Sequence, residues 1–364
     1  MTESNSAPFV GKKFLVMAGG TGGHVFPALA VARALQAQGG SVEWLGTMRG
    51  IEAQLIPAAE IPLHFITVEG IRGKGAGALL KAPLQISKAI WQARQVVKAL
   101  QPDAVLGFGG FATGPGGVAA RLAGIPLIIH EQNAVAGTTN RLLAKIASRV
   151  LEAFPSGLPA AVEVGNPVRP EIAALPAPAE RVGKQTPARL LVLGGSLGAV
   201  AINELVPQAL ARISAEKRPR VIHQAGQRHL DLAQEAYERV GVDASVVPFI
   251  ADMAEAYGQA DLVICRSGAL TVSEIAAAGV GAILVPFPFA IDDHQTKNGE
   301  WLERAGAARV IQQDALDAGE LAALLESLFA APEKLMAMAE AARRVARPDA
   351  TDQVLAVCRE EMGC

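Results

Sequence analysis

Cysteine is scarce: Cys265, Cys358 and Cys364 are the whole supply in 364 residues, too few and too scattered for a disulfide framework or a zinc site. That points to a reducing compartment. Long apolar runs are missing too. The most apolar stretch, 281–291, is short and broken by Pro286 and Pro288, and residues 1–13 are polar without the apolar centre of a signal peptide, so no membrane span is expected. Neither sign of charge is in excess, since 33 Lys and Arg against 35 Asp and Glu leave a net charge of -2, which removes any general electrostatic reason to bind nucleic acid. What the chain does have is apolar content. Hydrophobic residues make up 51% and charged ones 19%, a balance that excludes disorder and suits buried sheets flanked by Ala-rich helices. The length exceeds the roughly 250 to 300 residues at which a single core stops growing, so two domains are expected.

From Lys13 the chain alternates short aliphatic runs with longer Ala/Leu-rich stretches, the pattern of an α/β, doubly wound parallel sheet. Strands are expected at 14–18, 42–45, 64–68, 104–108, 127–130 and 149–154. The stretch 167–187 is rich in Pro and Ala and carries no convincing periodicity, which marks a boundary. A second series then follows at 190–193, 221–224, 245–248, 262–265, 282–285 and 309–311. Both halves open alike, with a strand, a glycine loop (GGTGG, then GGSLG) and a helix, so the chain reads as two similar open α/β units facing each other. The expected division is 8–168 against 169–344, with a closing helix at about 345–364 returning to the first unit.

The first loop, 18–24, precedes a helical start with Pro27 in its first turn. Glycines let the backbone approach an anion, and a helix N-terminus offers unpaired amides, so the loop should suit a diphosphate. The dinucleotide fingerprint G-x-G-x-x-G competes, but Val25 stands where its third glycine belongs. A second cluster, 107–117, holds more glycine than a turn requires, and close approach of backbone to a ligand explains it. The third, 194–199, adds the Ser196 hydroxyl.

His24, at the start of the first helix, is of a residue type that can accept a proton from a hydroxyl nucleophile; a structural role is the alternative. His130, Glu131, Gln132 and Asn133 follow an apolar strand, at the edge where open α/β sheets bind ligands, or else cap the next helix. Glu274, early in a helix, suits the paired hydroxyls of a ribose, or complements the helix dipole. Asp292, Asp293, His294 and Gln295 are fit for sugar hydroxyls or a metal, although their spacing matches no familiar ligand set.

In order along the chain stand GGTGGHVFP, GFGGFATGPGG, HEQNAVAG, GNPVR, GGSLGA, PFI and CRSGALTVSEIAAAG. This series resembles the MurG family of glycosyltransferases, glycosyltransferase family 28, over nearly the whole chain. The resemblance implies a GT-B fold, two Rossmann-like domains about a deep cleft, with UDP-N-acetylglucosamine (UDP-GlcNAc) on the C-terminal half and the acceptor on the N-terminal half. By motif, the donor contacts fall on Thr21, Gly22, Gly23, Asn133, Arg169, Ser196, Ile250, Ala269, Leu270, Thr271, Val272, Ser273, Glu274 and Gln295. Ser196 and nearby amides would meet the diphosphate, Ile250 backbone would read uracil, Glu274 would hold ribose, Gln295 with Asn133 would orient the sugar, and Arg169 would neutralise departing UDP.

The implied reaction moves GlcNAc, with inversion, to the 4-hydroxyl of the muramyl sugar of an undecaprenyl-diphosphate-linked muramyl pentapeptide. His24 is the expected base, Glu131 the alternate, and no metal or cofactor is called for. The implied place is the cytoplasmic face of the inner membrane, peripherally bound, beside other cell-wall synthesis proteins. Leu197, Phe111 and His294 depart from the family's frequent Gln, Tyr and Gln. Apolar residues beside Arg72, Lys74 and Lys81 at 71–81 form a candidate membrane-surface patch. Three rivals stand beside this reading: a UDP-GlcNAc 2-epimerase of similar fold, an NAD-dependent dehydrogenase, and a non-catalytic membrane adaptor. Product analysis separates the first, and protection by UDP against NADH the second.

Overall fold

The computed structural model describes residues 7–68, 76–195 and 199–363, without the side chains of 76–81 and 291. Ser196, Leu197 and the basic stretch at 71–75 lie outside the described residues. The chain divides into two compact units, Met1–Val168 with Pro348–Cys364, and Arg169–Arg347.

The first unit runs β1 (Lys13–Met17), α1 (Gly22–Ala37), β2 (Ser41–Gly46), α2 (Glu52–Ala58), β3 (Leu63–Phe65), α3 (Ala76–Leu100), β4 (Ala104–Gly107), α4 (Thr113–Leu122), β5 (Leu127–Glu131), α5 (Thr138–Leu143), β6 (Arg149–Glu152) and β7 (Ala161–Glu163). Among the described residues these strands form one sheet in the order β3-β2-β1-β4-β5-β6-β7, and every pairing is parallel. Helices cover both faces of such a sheet, so its central strands are apolar on both sides. Phe14, Leu15, Val16 and Met17 are all buried, two toward one core cluster and two toward the other.

The second unit runs α6 (Pro170–Ala173), α7 (Pro178–Arg181), β8 (Arg189–Leu193), α8 (Val200–Arg212), β9 (Arg220–Gln224), α9 (Leu230–Val240), β10 (Ser245–Val247), α10 (Met253–Gln259), β11 (Leu262–Cys265), α11 (Ala269–Ala278), β12 (Gly281–Leu284), α12 (His294–Arg304), β13 (Ala308–Val310), α13 (Ala318–Phe329) and α14 (Pro332–Val345). Its sheet order is β10-β9-β8-β11-β12-β13, again parallel throughout. Both orders reverse direction next to the first strand of the unit, as in a Rossmann fold, and ligands bind such sheets outside the strand ends at that reversal. The β1–α1 and β4–α4 loops flank the reversal in the first unit, and the β8–α8 and β11–α11 loops flank it in the second.

Three local readings need correction. The apolar helical run begins at Gly22, so Pro27 lies inside α1 and not in its first turn. The short strand β7 was missed because Val162 and Glu163 face solvent at a sheet edge and leave no apolar run. The stretch 167–187 holds two four-residue helices, α6 and α7, each opened by a proline at its first position, where a missing N–H costs nothing. The final helix, α15 (Ala350–Met362), packs on α1 and puts Val354, Leu355 and Cys358 into the first unit's core. Full burial of the valine and leucine side chains contributes about 1.5–3 kcal/mol each.

Candidate active site

In the first unit the β1–α1 loop is held from behind by Glu52. This fully buried carboxylate accepts the Gly20 amide (2.9 Å), the Thr47 amide (3.0 Å) and the Thr47 hydroxyl (2.8 Å). The Gly20 N–H is thus spent inside the protein, which corrects the view of the whole loop as a diphosphate cradle. The helix end at Gly22 and Gly23, whose amides precede the first intrahelical bond, is the part able to face an anion. Thr21 is the exposed, extended residue capping α1, and its side chain makes no capping bond.

The second glycine cluster also serves packing. A Cβ on Gly110 (φ +89°) would run into the Gly19 backbone, and one on Gly109 (φ +102°) would lie 2.9 Å from His24 Nδ1. Gly116 and Gly117 likewise make room for Met17 and Leu143. Glycine is needed here because the protein approaches itself, and the reading of this cluster as ligand-facing throughout is corrected accordingly. Phe111, beside it, is exposed.

His24 and Gln132 are brought together: His24 Nδ1 lies 2.7 Å from Gln132 Oε1. Gln132 Nε2 donates to His130 Nδ1 (3.0 Å) and to the His130 carbonyl (2.9 Å), while His130 Nε2 lies 2.8 Å from the Gly165 carbonyl. His130 is buried and stacked on Phe108, with ring centroids 5.3 Å apart. Burial pushes its titration down to about 4, against a smaller upward pull from the Gly165 carbonyl.

Glu131 points the other way. Its Oε1 accepts the Asn133 amide (2.9 Å) and Nδ2 (3.2 Å), and its Oε2 accepts the Gly137 amide (3.0 Å) and Asn140 Nδ2 (2.9 Å). Four donors and near-complete burial commit this carboxylate to holding the 131–140 loop, a poor state for a base that must reach a substrate. Asn133 is half-buried beside it.

In the second unit, Glu274 on α11 is buried and its Oε1 accepts both Arg169 Nε (2.9 Å) and Nη2 (2.7 Å); the Tyr257 hydroxyl reaches Oε2 at 3.4 Å. Burial raises the Glu274 carboxyl, and the Arg169 charge pulls it back down. Burial, then the Glu274 charge, pushes Tyr257 well above its ordinary range. Sequence reading missed Tyr257, a lone aromatic in a short polar helix.

The α11 stretch divides by face. Ala269 and Val272 point into the core; Ala269 keeps its backbone N–H for a ligand, whereas the Val272 N–H donates to the Gly268 carbonyl, and Leu270, Thr271 and Ser273 are partly exposed. The Ser273 hydroxyl donates to the Ala269 carbonyl (2.9 Å), and the first-turn amides at 269–271 precede the first intrahelical bond, from Val272 to Gly268. Ile250 is half-buried in the loop after β10, and Gln295 on α12 accepts the Phe287 amide through Oε1 (2.9 Å). Asp292 and Asp293 sit in left-handed conformation (φ 53° and 51°), and Thr296 donates to Asp293. Among the described residues, no three His, Cys, Asp or Glu side chains are grouped to hold a metal ion.

Two open parallel sheets, each with polar groups gathered where its strand order reverses, are the two Rossmann-like domains of a GT-B fold. The family models agree: residues 14–152 match the glycosyltransferase family 28 N-terminal domain and 189–354 the family 28 C-terminal domain, and the chain belongs to that family. It is similar to the UDP-N-acetylglucosamine--N-acetylmuramyl-(pentapeptide) pyrophosphoryl-undecaprenol N-acetylglucosamine transferase of Stutzerimonas stutzeri (strain A1501), with 57% identity over 95% of this chain and 98% of the relative. The same-named enzyme of Pseudomonas fluorescens is also 57% identical, over 96% and 99%. Among solved structures, Acinetobacter baumannii MurG superposes with a TM-score of 0.84 at 44% identity, covering 96% of this chain and 99% of that one. The glycosyltransferase VinC, at 16% identity and TM-score 0.66, shares the fold.

Proposed function

We propose that this chain transfers GlcNAc from UDP-GlcNAc to the 4-hydroxyl of the muramyl sugar of undecaprenyl-diphosphate-linked muramyl pentapeptide, with inversion, in peptidoglycan synthesis. The observation that carries the reading is similarity, at 57% identity over 95% of the chain, to an N-acetylglucosamine transferase whose name gives N-acetylmuramyl-(pentapeptide) pyrophosphoryl-undecaprenol as acceptor. In this reading the first unit takes the acceptor and the second the donor.

His24 Nε2 accepts the 4-hydroxyl proton as the oxygen's electron pair attacks the anomeric carbon from the face opposite UDP; the anomeric C–O bond breaks and its pair leaves on the UDP β-phosphate. Glu131 anchors its loop instead. Donor binding exchanges partners at Glu274: the ribose hydroxyls replace Arg169 on Oε1, and the freed guanidinium, with the α11 amides and Ser196, meets the diphosphate. Ile250 backbone reads uracil, and Gln295 and Asn133 orient the sugar. A radiolabelled transfer assay with UDP-GlcNAc and a short-chain lipid acceptor tests the whole. His24→Ala should lower kcat by about 100-fold or more while sparing UDP-GlcNAc binding, in line with the weight of a general base. Near-wild-type turnover would remove His24 from the mechanism.

A lipid acceptor requires a membrane surface, and the α3–α4–α5 side of the first unit suits one. These helices contain no Asp or Glu. Leu84, Trp91, Leu122 and Leu142 are exposed there, with Lys88, Arg94, Lys98 and Arg121 exposed on the same helices. Apolar anchors among basic side chains are the signature of an interfacial surface on an anionic leaflet. Among the described residues no helix is long and apolar enough to cross a membrane. The chain acts in this reading as a peripheral enzyme at the cytoplasmic face of the inner membrane, its product serving cell shape and division. Charge reversal at Lys88 and Arg94 should weaken co-sedimentation with anionic vesicles by about fivefold per residue; unchanged sedimentation would count against this face.

A further inference from the structure

We propose that Gln132 is a positioning residue: with buried His130 as a fixed reference, it holds His24 in the tautomer whose proton is on Nδ1 and whose lone pair is on Nε2. The inference rests on the reading of His24 as the base.

The argument uses only which atoms can donate. The Gln132 amide nitrogen lies 2.9 Å from the His130 carbonyl, which can only accept, so the orientation of the amide is fixed. Its second hydrogen goes to His130 Nδ1 (3.0 Å), which must therefore carry a lone pair. The proton of that ring is then on Nε2 and is given to the Gly165 carbonyl at 2.8 Å, again a pure acceptor. The remaining Gln132 atom, Oε1, can only accept, so the 2.7 Å contact to His24 Nδ1 requires a hydrogen on His24 Nδ1. Which imidazole nitrogen stays free is set by the bond the other one makes. The chain is closed by carbonyls at the His130 end and leaves one lone pair outside it, on His24 Nε2.

Two features keep the arrangement in place. Gln132 and His130 are both buried, and burial holds His130 neutral far below neutral pH, so the reference does not change its hydrogen bonds where an enzyme works. Gly109, without a Cβ, lets the His24 ring lie against the β4–α4 loop.

Nitrogen-15 histidine spectra of the full chain, with the His24 signals assigned by their loss in His24→Ala, should show a protonated Nδ1 and a pyridine-like Nε2 in the neutral ring. In Gln132→Leu the ring should relax to a tautomer mixture, and kcat should fall about 10- to 100-fold with KM for UDP-GlcNAc within about twofold, less than the whole weight of a general base because part of the ring population keeps Nε2 free. Gln132→Met keeps the side-chain length and volume but removes the acceptor toward His24, so it should give the same tautomer mixture and a changed pH profile of kcat; this variant serves if Gln132→Leu fails to fold. A protonated His24 Nε2 in the wild-type chain overturns the proposal, as does a Gln132 variant with tautomer and pH profile both unchanged. If His24→Ala keeps turnover, the base reading falls by itself, while the nitrogen spectra still decide the tautomer.

Discussion

Each unit buries one histidine on a strand of its sheet. His130, at the end of β5, and His223, in β9, are both pushed down to about 4 by burial. Their networks end differently. His223 Nε2 lies 3.0 Å from Asn203 Oδ1, whose amide nitrogen donates to the Ala225 carbonyl, and its Nδ1 lies 3.0 Å from the buried Tyr237 hydroxyl. That network closes within the core beneath the β8–α8 loop. The His130 network opens through Gln132 onto a partly exposed imidazole. Burial and a displaced titration are thus common to a histidine whose hydrogen bonds close inside its core and to one whose hydrogen bonds lead out to the candidate base; what separates them is where the hydrogen bonds lead.

The two should behave alike under acid. A neutral buried histidine gives stability that is present above its unfolded value of 6.5 and is lost as pH falls toward about 4. The loss is on the order of 3 kcal/mol for each residue. Glu274, raised by burial, works in the opposite sense and adds stability as it takes up its proton. Urea unfolding at pH 7.5 and 4.5 should show the net loss, and a flat profile would contradict it.

Substitution should then part them. His130→Gln and His223→Gln are each expected to cost about 2–3 kcal/mol in urea unfolding, the cost of disturbing a buried network. Only the first should lower kcat beyond its effect on folded fraction. Equal kcat in both would erase the distinction drawn here.

The charged pair of the second unit offers a third contrast. Glu274→Gln should weaken UDP-GlcNAc binding by about 10- to 100-fold, about 1.4–2.7 kcal/mol, as measured by calorimetry, and leave vesicle binding alone. The smallest effect is expected at Gly109→Ala. Its positive φ costs an alanine about 1 kcal/mol, and the Cβ crowds His24, so thermal stability should dip slightly while kcat falls.

The sheets were legible in the sequence because a strand covered on both faces is a continuous apolar run, and β1, β4, β8 and β11 are such runs. β7, half out in solvent, had no such run. At the candidate site, residue type pointed to His24 and Glu274, but Tyr257, the partner of Glu274, and Glu52, which holds the first glycine loop, come from other helices and gave no such signal. Gln132 carried a weak signal, since it shares its strand-face parity with His130 and Glu131 does not. The glycines misled for a physical reason. A missing Cβ signals close approach, and the approaching group at Gly109 and Gly110 is the protein's own His24 and Gly19.

The seating of α15 on α1 orders events during synthesis. The ribosome makes α1 before α15, with all of the second unit in between. The first unit therefore emerges with an uncovered apolar stripe along α1 and waits, through translation of its neighbour, for the segment that seals it.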